Sequence, residues 1–600
     1  MTYLKDVFCG DIRPSDVGRS VRIAGWVDRR RDHGGVIFID LRDSKGVIQV
    51  VVNPDDSRLY DIAKRIRSEW VIGLEGTIEH RTKETINSDL PTGEVEFVPT
   101  AITVLNEAVT PPFSIYEPGE VDESLRLQYR YLDLRRPEAI KILRLRHEVV
   151  SFIRAFFTER DFMEVETPTL IRSTPEGARD FLVPSRLQPG EFFALPQSPQ
   201  ILKELLMVAG VERYFQIARC YRDEDFRSNR VAEHTQLDME MAFVDEADVM
   251  TLVEELYTEV ALRFGNNKQV LEVPFPRLDY ENCIARYGTD RPDLRFGLEF
   301  IDIGVIFEKS EFKVFSSALE TGGQIKAICV DGQANMARRS IDSLVKIAQS
   351  AGAGGLVNIG FSETGEIRSP VSRFLSEEEV SALKQATGAK EADMLFIAAG
   401  PPEIVSATLA LIREELAERL DLRNDEVFAF AWVTGFPLLE WKPEENRWDS
   451  THNPFSGFVA DDVNLLDTDP AKVRARQYDL VLNGEEIGGG SIRINNRDDQ
   501  MRIFQLLGHS DSEIAERFGV LLQALEYGAP PMGGVGAGID RLIMQLVGTS
   551  NIRDVIAFPK ASSGADPLMD APSSVSPEQL KELGLQLVPE IEQRIDQLDL

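Results

Sequence analysis

The chain has 600 residues, 43% of them hydrophobic and 28% charged. That length and apolar fraction support three to five packed domains and exclude wholesale disorder. The net charge of −33 argues against a general nucleic-acid binder, although a strongly acidic protein can still carry local basic patches. No run approaches the ~18 apolar residues of a membrane span, and MTYLKDVFCG at the N-terminus lacks a signal peptide's apolar stretch. The expectation is a cytoplasmic protein with no membrane partner. Cys9, Cys220, Cys283 and Cys329 lie too far apart for a CxxC zinc or disulfide framework.

In chain order, residues 1–105 read as five short strands: Val21–Asp28, Val36–Leu41, Val47–Val52, Trp70–His80 and Gly93–Leu105. A helix, Asp56–Ser68, falls between the third and fourth, which is the order of an OB-fold barrel. Any other small β-barrel or sandwich remains the alternative. Residues 106–125, with Pro111, Pro112, Pro118 and Gly119 among acidic residues, read as a hinge. Leu143–Glu159 carries Leu145, Val149, Phe152, Ile153, Phe156 and Phe157 at helical spacing. Strands then recur to Phe243, with a helix at Pro199–Ala209. Residues 281–420 read as an inserted α+β domain that interrupts a larger one spanning 126–280 and 421–560. The tail, 561–600, ends in a polar helix over 577–600. The fold class is α+β and multidomain.

Three segments carry chemistry. In YFQIARCYRDEDFRSNRVAEHTQLDMEMAF (214–243) two alternating strands flank a charged loop. Gln236, Asp238 and Glu240 share one face of the second strand, and the first strand ends on Arg222 and Glu224 beside Arg227 and Arg230. The alternative is a solvated hairpin, which the apolar opposite face makes a poor fit. In NGEEIGGGSIRI (483–494) three glycines within a strand leave room for close approach by another molecule. Asp479 and Glu486 form a carboxylate pair beside them, suited to Mg²⁺ over phosphates; a β-bulge with surface charges is the alternative. In GGVGAGIDRLIM (533–544) glycines run into a helix whose first turn holds Asp540 and Arg541, where anions are favoured. No Walker A or dinucleotide fingerprint is present.

Together with Glu166-Thr167-Pro168, these segments resemble motifs 2, 3 and 1 of the class II aminoacyl-tRNA synthetases. TPEGARDFLVPSR (174–186), LPQSPQILK (195–203), RYLDLRRPE (130–138), RWDSTHNPFSG (447–457) and GAKEAD (388–393) are similar to the bacterial-type aspartyl-tRNA synthetases in particular. The resemblance covers nearly the whole chain in order. It implies an OB-fold anticodon-binding domain, an antiparallel-sheet catalytic domain and the bacterial (GAD-like) insertion. It also implies ATP-dependent activation of L-aspartate and transfer to tRNA(Asp), a Mg²⁺ cofactor with ATP as substrate, and a homodimer built on the motif 1 helix.

The resemblance implies roles residue by residue. Lys203 and Arg493 would read the aspartate side chain, with Glu176, Ser198, Gln200, Gln236, Asp238 and His452 around the amino acid. Arg222 would bridge the substrate carboxylate and α-phosphate, and Arg541 would take the γ-phosphate, as the two catalytic residues. Asp223, Glu224, Val231, Glu486, Gly538, Ile539 and Asp540 would complete the ATP site, and Asp479 with Glu486 would hold the metal. Val231 stands where many relatives have Gln, so a contact there would run through backbone. The loop His452-Asn453-Pro454 lacks the second His common in relatives. Arg31, Phe38, Gln49, Arg81 and Glu96 match anticodon-reading positions; Phe38, bracketed by Ile37 and Ile39, also reads as core. His33 and Glu84 bear on tRNA choice: His33-Gly34-Gly35 looks like the form that charges both tRNA(Asp) and tRNA(Asn), with the strict tRNA(Asp) form as the alternative. A non-catalytic RNA-binding paralogue would be expected to lose Arg222, Arg541, Asp479 or Glu486, and all four are present.

Overall fold

The computed structural model describes residues 4–116, 121–174, 178–224, 226–364 and 366–588. It divides into two compact units, Met1–Leu143 with Asp566–Ala571, and Arg144–Ala565 with Pro572–Leu600.

In the first unit, Ser20–His33, Val36–Asp43, Gly46–Val52, Val95–Asn106 and Val71–His80 close a five-stranded barrel in that spatial order. Period-2 alternation drives it: Ile23, Val27, Ile37, Ile39, Val50 and Phe97 fill the barrel, and their sequence neighbours face out. The helix between the third and fourth strands is Ser57–Arg65. Asp56 caps it by accepting from the backbone N–H groups of Arg58 and Leu59, both at 3.1 Å. Glu123–Gln128, which begins within the stretch read as a hinge, and Arg130–Asp133 are short helices. Arg135 beyond them donates to Glu69 at 2.6 Å. The buried Glu69 carboxylate also takes both bonds of an Arg42 contact, at 3.0 and 3.1 Å. Two guanidiniums on one carboxylate thus lock this post-hinge segment to the barrel.

The second unit is built on an eight-stranded sheet. Its order is Arg277–Asp279, Phe430–Thr434, Gln477–Leu482, Glu485–Ile492, Met532–Gly538, Glu233–Ala242, Arg213–Tyr221, Met163–Glu164. The two outermost pairings are parallel and the inner ones antiparallel. The charged hairpin therefore lies inside the sheet. Its second strand is buried from Thr235 to Ala242, which excludes the solvated alternative. The motif 1 helix is longer than the apolar spacing suggests: it runs Pro137–Thr158, beginning on a proline that suits a first turn. Val149, Ile153, Phe156 and Phe157 are its buried face.

Between the sheet's halves, a five-stranded sheet runs Ile301–Asp302, Gln324–Val330, Met394–Gly400, Val357–Phe361, Ile367–Arg368. Helices cover both faces. Leu344, Leu409 and Ile412 pack on one side, and Phe307, Phe315 and Leu383 on the other. The buried Arg413 ties its root together by donating to the carbonyls of Asp293, Phe296 and Gly297. The tail differs from the expected long helix. It is helical only over Pro577–Glu582, because Leu583 and Gly584, the latter at φ 67°, end the helix. Residues 583–588 are not helical, and those beyond lie outside the described residues.

Candidate active site

Sheet register assembles the site. Asp238 faces Gly536 and Gln216 across its two neighbouring strands, and Glu240 faces Gly534 and Tyr214. The glycine strand Met532–Gly538 pairs in turn with Glu485–Ile492. A Cβ on Gly534 would stand 2.2 Å from Glu240 Oε2, and one on Gly489 would stand 2.6 Å from Asp479 Oδ1. Gly489 and Gly534 therefore make room for carboxylates of the adjacent strands, whereas Gly488, Gly536 and Gly538 line an open cavity, in keeping with the close approach of another molecule that the sequence suggested.

Lys203 comes from the helix Gln200–Val208, and Arg493 follows the glycine strand Glu485–Ile492. They are 1% and 4% exposed. Lys203 Nζ donates to Asp238 Oδ1 at 3.0 Å and lies 3.4 Å from Glu240 Oε2. Arg493 forks onto Glu240 at 2.8 and 3.1 Å and donates to Ser491 Oγ at 2.7 Å. Gln236 Nε2 donates to the other oxygen of Asp238 at 2.6 Å. Glu240 is thus the shared counter-ion of both cations. Its place on the polar face with Asp238 was legible, its partners were not.

Ser198 Oγ accepts from the Gln200 backbone N–H, and the Gln200 side chain donates to Glu204. Ser491 also receives Ser456 Oγ at 3.0 Å, and Ser456 in turn reaches Gln477. Gln477 Nε2 donates to Asp479 at 2.7 Å. Burial, then the neighbouring Glu486, holds the Asp479 carboxyl well above its ordinary range. His452 Nδ1 lies 4.0 Å from Asp479 Oδ2, and its ring packs edge-on against Phe436. Burial lowers the His452 pKa, which favours the neutral imidazole. Glu176 lies outside the described residues.

A second cavity adjoins this cluster. Arg222, Glu224, Val231, Glu486, Gly538 and Arg541 line it, with Asp540 at its edge. The Arg222 guanidinium is exposed and makes no ion pair among the described residues. Glu224 accepts from Arg230 at 2.6 Å, within the same loop. Asn229 fastens that loop to Glu485. Arg541 donates to the Glu486 carbonyl at 2.6 Å. His234, missed in the sequence, also lines the cavity; burial and then Arg222 push its pKa down to about 3, so it is neutral. The side chains of two expected ATP residues do not line this cavity: Asp223 is exposed and bridges through backbone to Arg179, and the fully buried Ile539 stands between Gly538 and Asp540, which do line it. The Asp540 carboxylate is engaged within the protein, taking the Thr235 N–H at 2.8 Å and Arg146 of the motif 1 helix at 2.5 Å.

On the barrel, Phe38 is half-buried, whereas Ile37 and Ile39 are fully buried, so Phe38 belongs to the outer face. It pairs with Arg31, and Asp40 pairs with Gln49. Because Val50 pairs with Phe97 in parallel, Gln49 and Glu96 stand side by side outside. Arg81 feels the charges of Glu96, Asp40 and Arg31, while burial lowers its pKa. These five predicted residues thus share one patch. His33, the last residue of the strand Ser20–His33, and Glu84, in the 3-10 turn Lys83–Thr85 that follows the strand Val71–His80, are exposed.

A family model described as tRNA synthetases class II (D, K and N) matches residues 122–562, and one for the OB-fold nucleic acid binding domain matches 21–105. The chain is 50% identical over 572 residues to an aspartate–tRNA(Asp/Asn) ligase of Syntrophomonas wolfei, covering 95% of this chain and 97% of the relative. It is 49% identical to one of Rubrobacter xylanophilus, with 98% and 97% covered. It is 48% identical to an aspartate–tRNA ligase of Geobacillus kaustophilus, with 97% and 98% covered. Among solved structures, asparaginyl-tRNA synthetase from Pyrococcus horikoshii with asparaginyl-adenylate shares the fold at a TM-score of 0.58 and 19% identity, with 92% of this chain and 97% of that one covered. The carboxylate-held lysine and arginine, the arginine-lined cavity beside them and the barrel all sit in a chain that belongs to the class II aminoacyl-tRNA synthetases, within the aspartate–tRNA ligase family.

Proposed function

We propose that this protein is an aspartate–tRNA ligase that activates L-aspartate with ATP and transfers it to tRNA(Asp) and tRNA(Asn). The observation that carries the amino-acid choice is the buried Lys203–Arg493 pair held by Asp238 and Glu240. A neutral asparagine side chain would offer these cations only uncharged hydrogen bonds in place of the charge-assisted ones aspartate makes, and charged hydrogen bonds are worth about 1.5–3 kcal/mol each.

In the first step an α-carboxylate oxygen bonds to the α-phosphorus, and the bond to the bridging oxygen of pyrophosphate breaks. Two anions meet, so neutralisation and positioning dominate. Arg222 spans carboxylate and α-phosphate, Arg541 holds the far phosphate, and Glu224 faces the adenine. The backbone at Val231 and Gly538 borders the nucleotide. Asp238 and Gln200, with Ser198, hold the aspartate ammonium end, and His452 covers it. Asp479 and Glu486 fit a divalent cation, because burial of Asp479 and then the charge of the half-buried Glu486 beside it push the Asp479 proton affinity up. Mg²⁺ there would neutralise phosphate charge. In the second step the ribose 3′-hydroxyl attacks the acyl carbon, the anhydride bond between that carbon and the α-phosphate oxygen breaks to release AMP, and the hydroxyl proton passes to the phosphate. Arg31, Phe38, Gln49, Arg81 and Glu96 read the anticodon, with base stacking on Phe38 contributing about 1–3 kcal/mol. The protein acts in the cytoplasm as a homodimer through its motif 1 helix.

Parallel ATP–pyrophosphate exchange is expected with aspartate and not with asparagine or lysine; exchange driven by asparagine would reassign the pocket. The second expectation concerns His33, exposed beside Gly34 and Gly35, which turn at φ 61° and 84°. Purified tRNA(Asn) transcript is charged with aspartate at an efficiency near that of tRNA(Asp). Charging of tRNA(Asp) alone would establish the strict form.

A further inference from the structure

One ionisable group in the amino-acid pocket has no part in the mechanism above. Glu204, one turn after Gln200 on the same helix, is 0% exposed. Its Oε1 accepts from Gln200 Nε2 at 2.5 Å, and its Oε2 has no hydrogen-bond partner among the described residues. The charged groups acting on it are Lys203 from its own helix, Glu240 from the central strand and Arg493. Asp238 shares Lys203 with Glu240. From the neighbouring strand comes Tyr214, whose hydroxyl donates to Gln216. The helix Asp511–Leu525 contributes the apolar residues Ile514, Phe518 and Leu521 to the packing there.

Two cations and two carboxylates already balance. An ionised Glu204 would add a third negative charge, in the place where a further carboxylate has to bind. No donor serves Oε2 to offset that charge, and an unpaired buried carboxylate takes up a proton instead. We propose that Glu204 is a positioning residue that works in its uncharged form: it holds the Gln200 carboxamide and leaves the Lys203–Arg493 pair able to accept the aspartate side chain, so that its ionisation weakens aspartate binding. Burial supports this by pushing the Glu204 pKa up to about 8, with Arg493 opposing and Glu240 reinforcing. The inference rests on the reading of Lys203 and Arg493 as the aspartate-binding cations.

The test is the KM for aspartate in ATP–pyrophosphate exchange from pH 7 to 9. A single group ionising near 8 that must be protonated for binding raises KM about tenfold across that range, with kcat little changed. Glu204→Ala raises KM at every pH, because Gln200 loses its acceptor. Glu204→Gln restores that acceptor and removes the alkaline rise, while substrate titrations common to both proteins persist. A flat wild-type profile, or an unchanged rise in Glu204→Gln, overturns the proposal. Should the variants fail to fold, calorimetry on wild-type protein in two buffers decides. Aspartate binding at pH 8.5 takes up most of a proton and at pH 6.5 almost none; no uptake at pH 8.5 overturns the idea. Failure of the underlying cation reading would instead show at neutral pH, as wild-type aspartate affinity in Arg493→Ala.

Discussion

Replacing Arg222 by alanine is expected to lower aspartate-dependent ATP–pyrophosphate exchange by about 10³–10⁵-fold, the range for removing a guanidinium that neutralises a transferring phosphoryl group. The melting temperature should move by no more than about 2 °C, as for a surface residue without partners. The reasoning is structural. Arg222 is exposed at the end of the Arg213–Tyr221 strand, lines the cavity beside Glu486 and Arg541, and has no ion pair among the described residues. Among the described residues no carboxylate pairs with its charge, which suits it to an anionic ligand. Exchange kinetics with a parallel thermal melt check this. A variant within tenfold of wild type would remove Arg222 from the reaction, and a large loss of melting temperature would mean that the guanidinium serves the fold.

Arg493→Ala is expected to abolish exchange as completely, with a different signature in stability. Arg493 is buried, and its fork spans both oxygens of Glu240, which is itself 0% exposed. Removing the guanidinium leaves Glu240 with Lys203 as its remaining cationic partner, at 3.4 Å. Breaking a buried pair by removing one partner costs about 3–5 kcal/mol. The variant should therefore melt several degrees lower. The double substitution Arg493→Gln with Glu240→Gln removes both charges and should recover most of the melting temperature while exchange stays absent. Recovery of exchange in that double variant would show that the charge pair is not what selects aspartate.

The pH response of the two carboxyls above their ordinary range follows from the same burial. For Glu204 and Asp479 the folded protein binds the proton more tightly than the unfolded chain. Their contribution to stability is therefore full below the ordinary carboxylate range and is lost as pH rises through the folded values, near 8 for Glu204. A divalent cation at Asp479 would reverse that trend at its own site, because it favours the charged form.

The amino-acid sequence by itself determined what repeats locally or survives as a motif. Alternation at Val36–Leu41 and Val47–Val52 sets the barrel strands, because period 2 puts Ile37, Ile39 and Val50 on one side whatever surrounds them. The face shared by Gln236, Asp238 and Glu240 follows from the same geometry. So does the placing of Arg541 in the first turn after a glycine strand. Only the tertiary structure decided which charges cancel. Arg493 and Glu240 lie 253 residues apart, Arg146 and Asp540 lie 394 apart, and Lys203 meets Asp238 across 35. Such pairs depend on strand order and register in the eight-stranded sheet, which no local pattern encodes. For the same reason the glycines of the site read in sequence only as space for a ligand, whereas in the fold Gly489 and Gly534 make room for neighbouring carboxylates and Gly488, Gly536 and Gly538 line the cavity. Glu204, which shares a largely apolar helix with Gln200 and Lys203, acquired its meaning only when the sheet brought Glu240 and Arg493 to it.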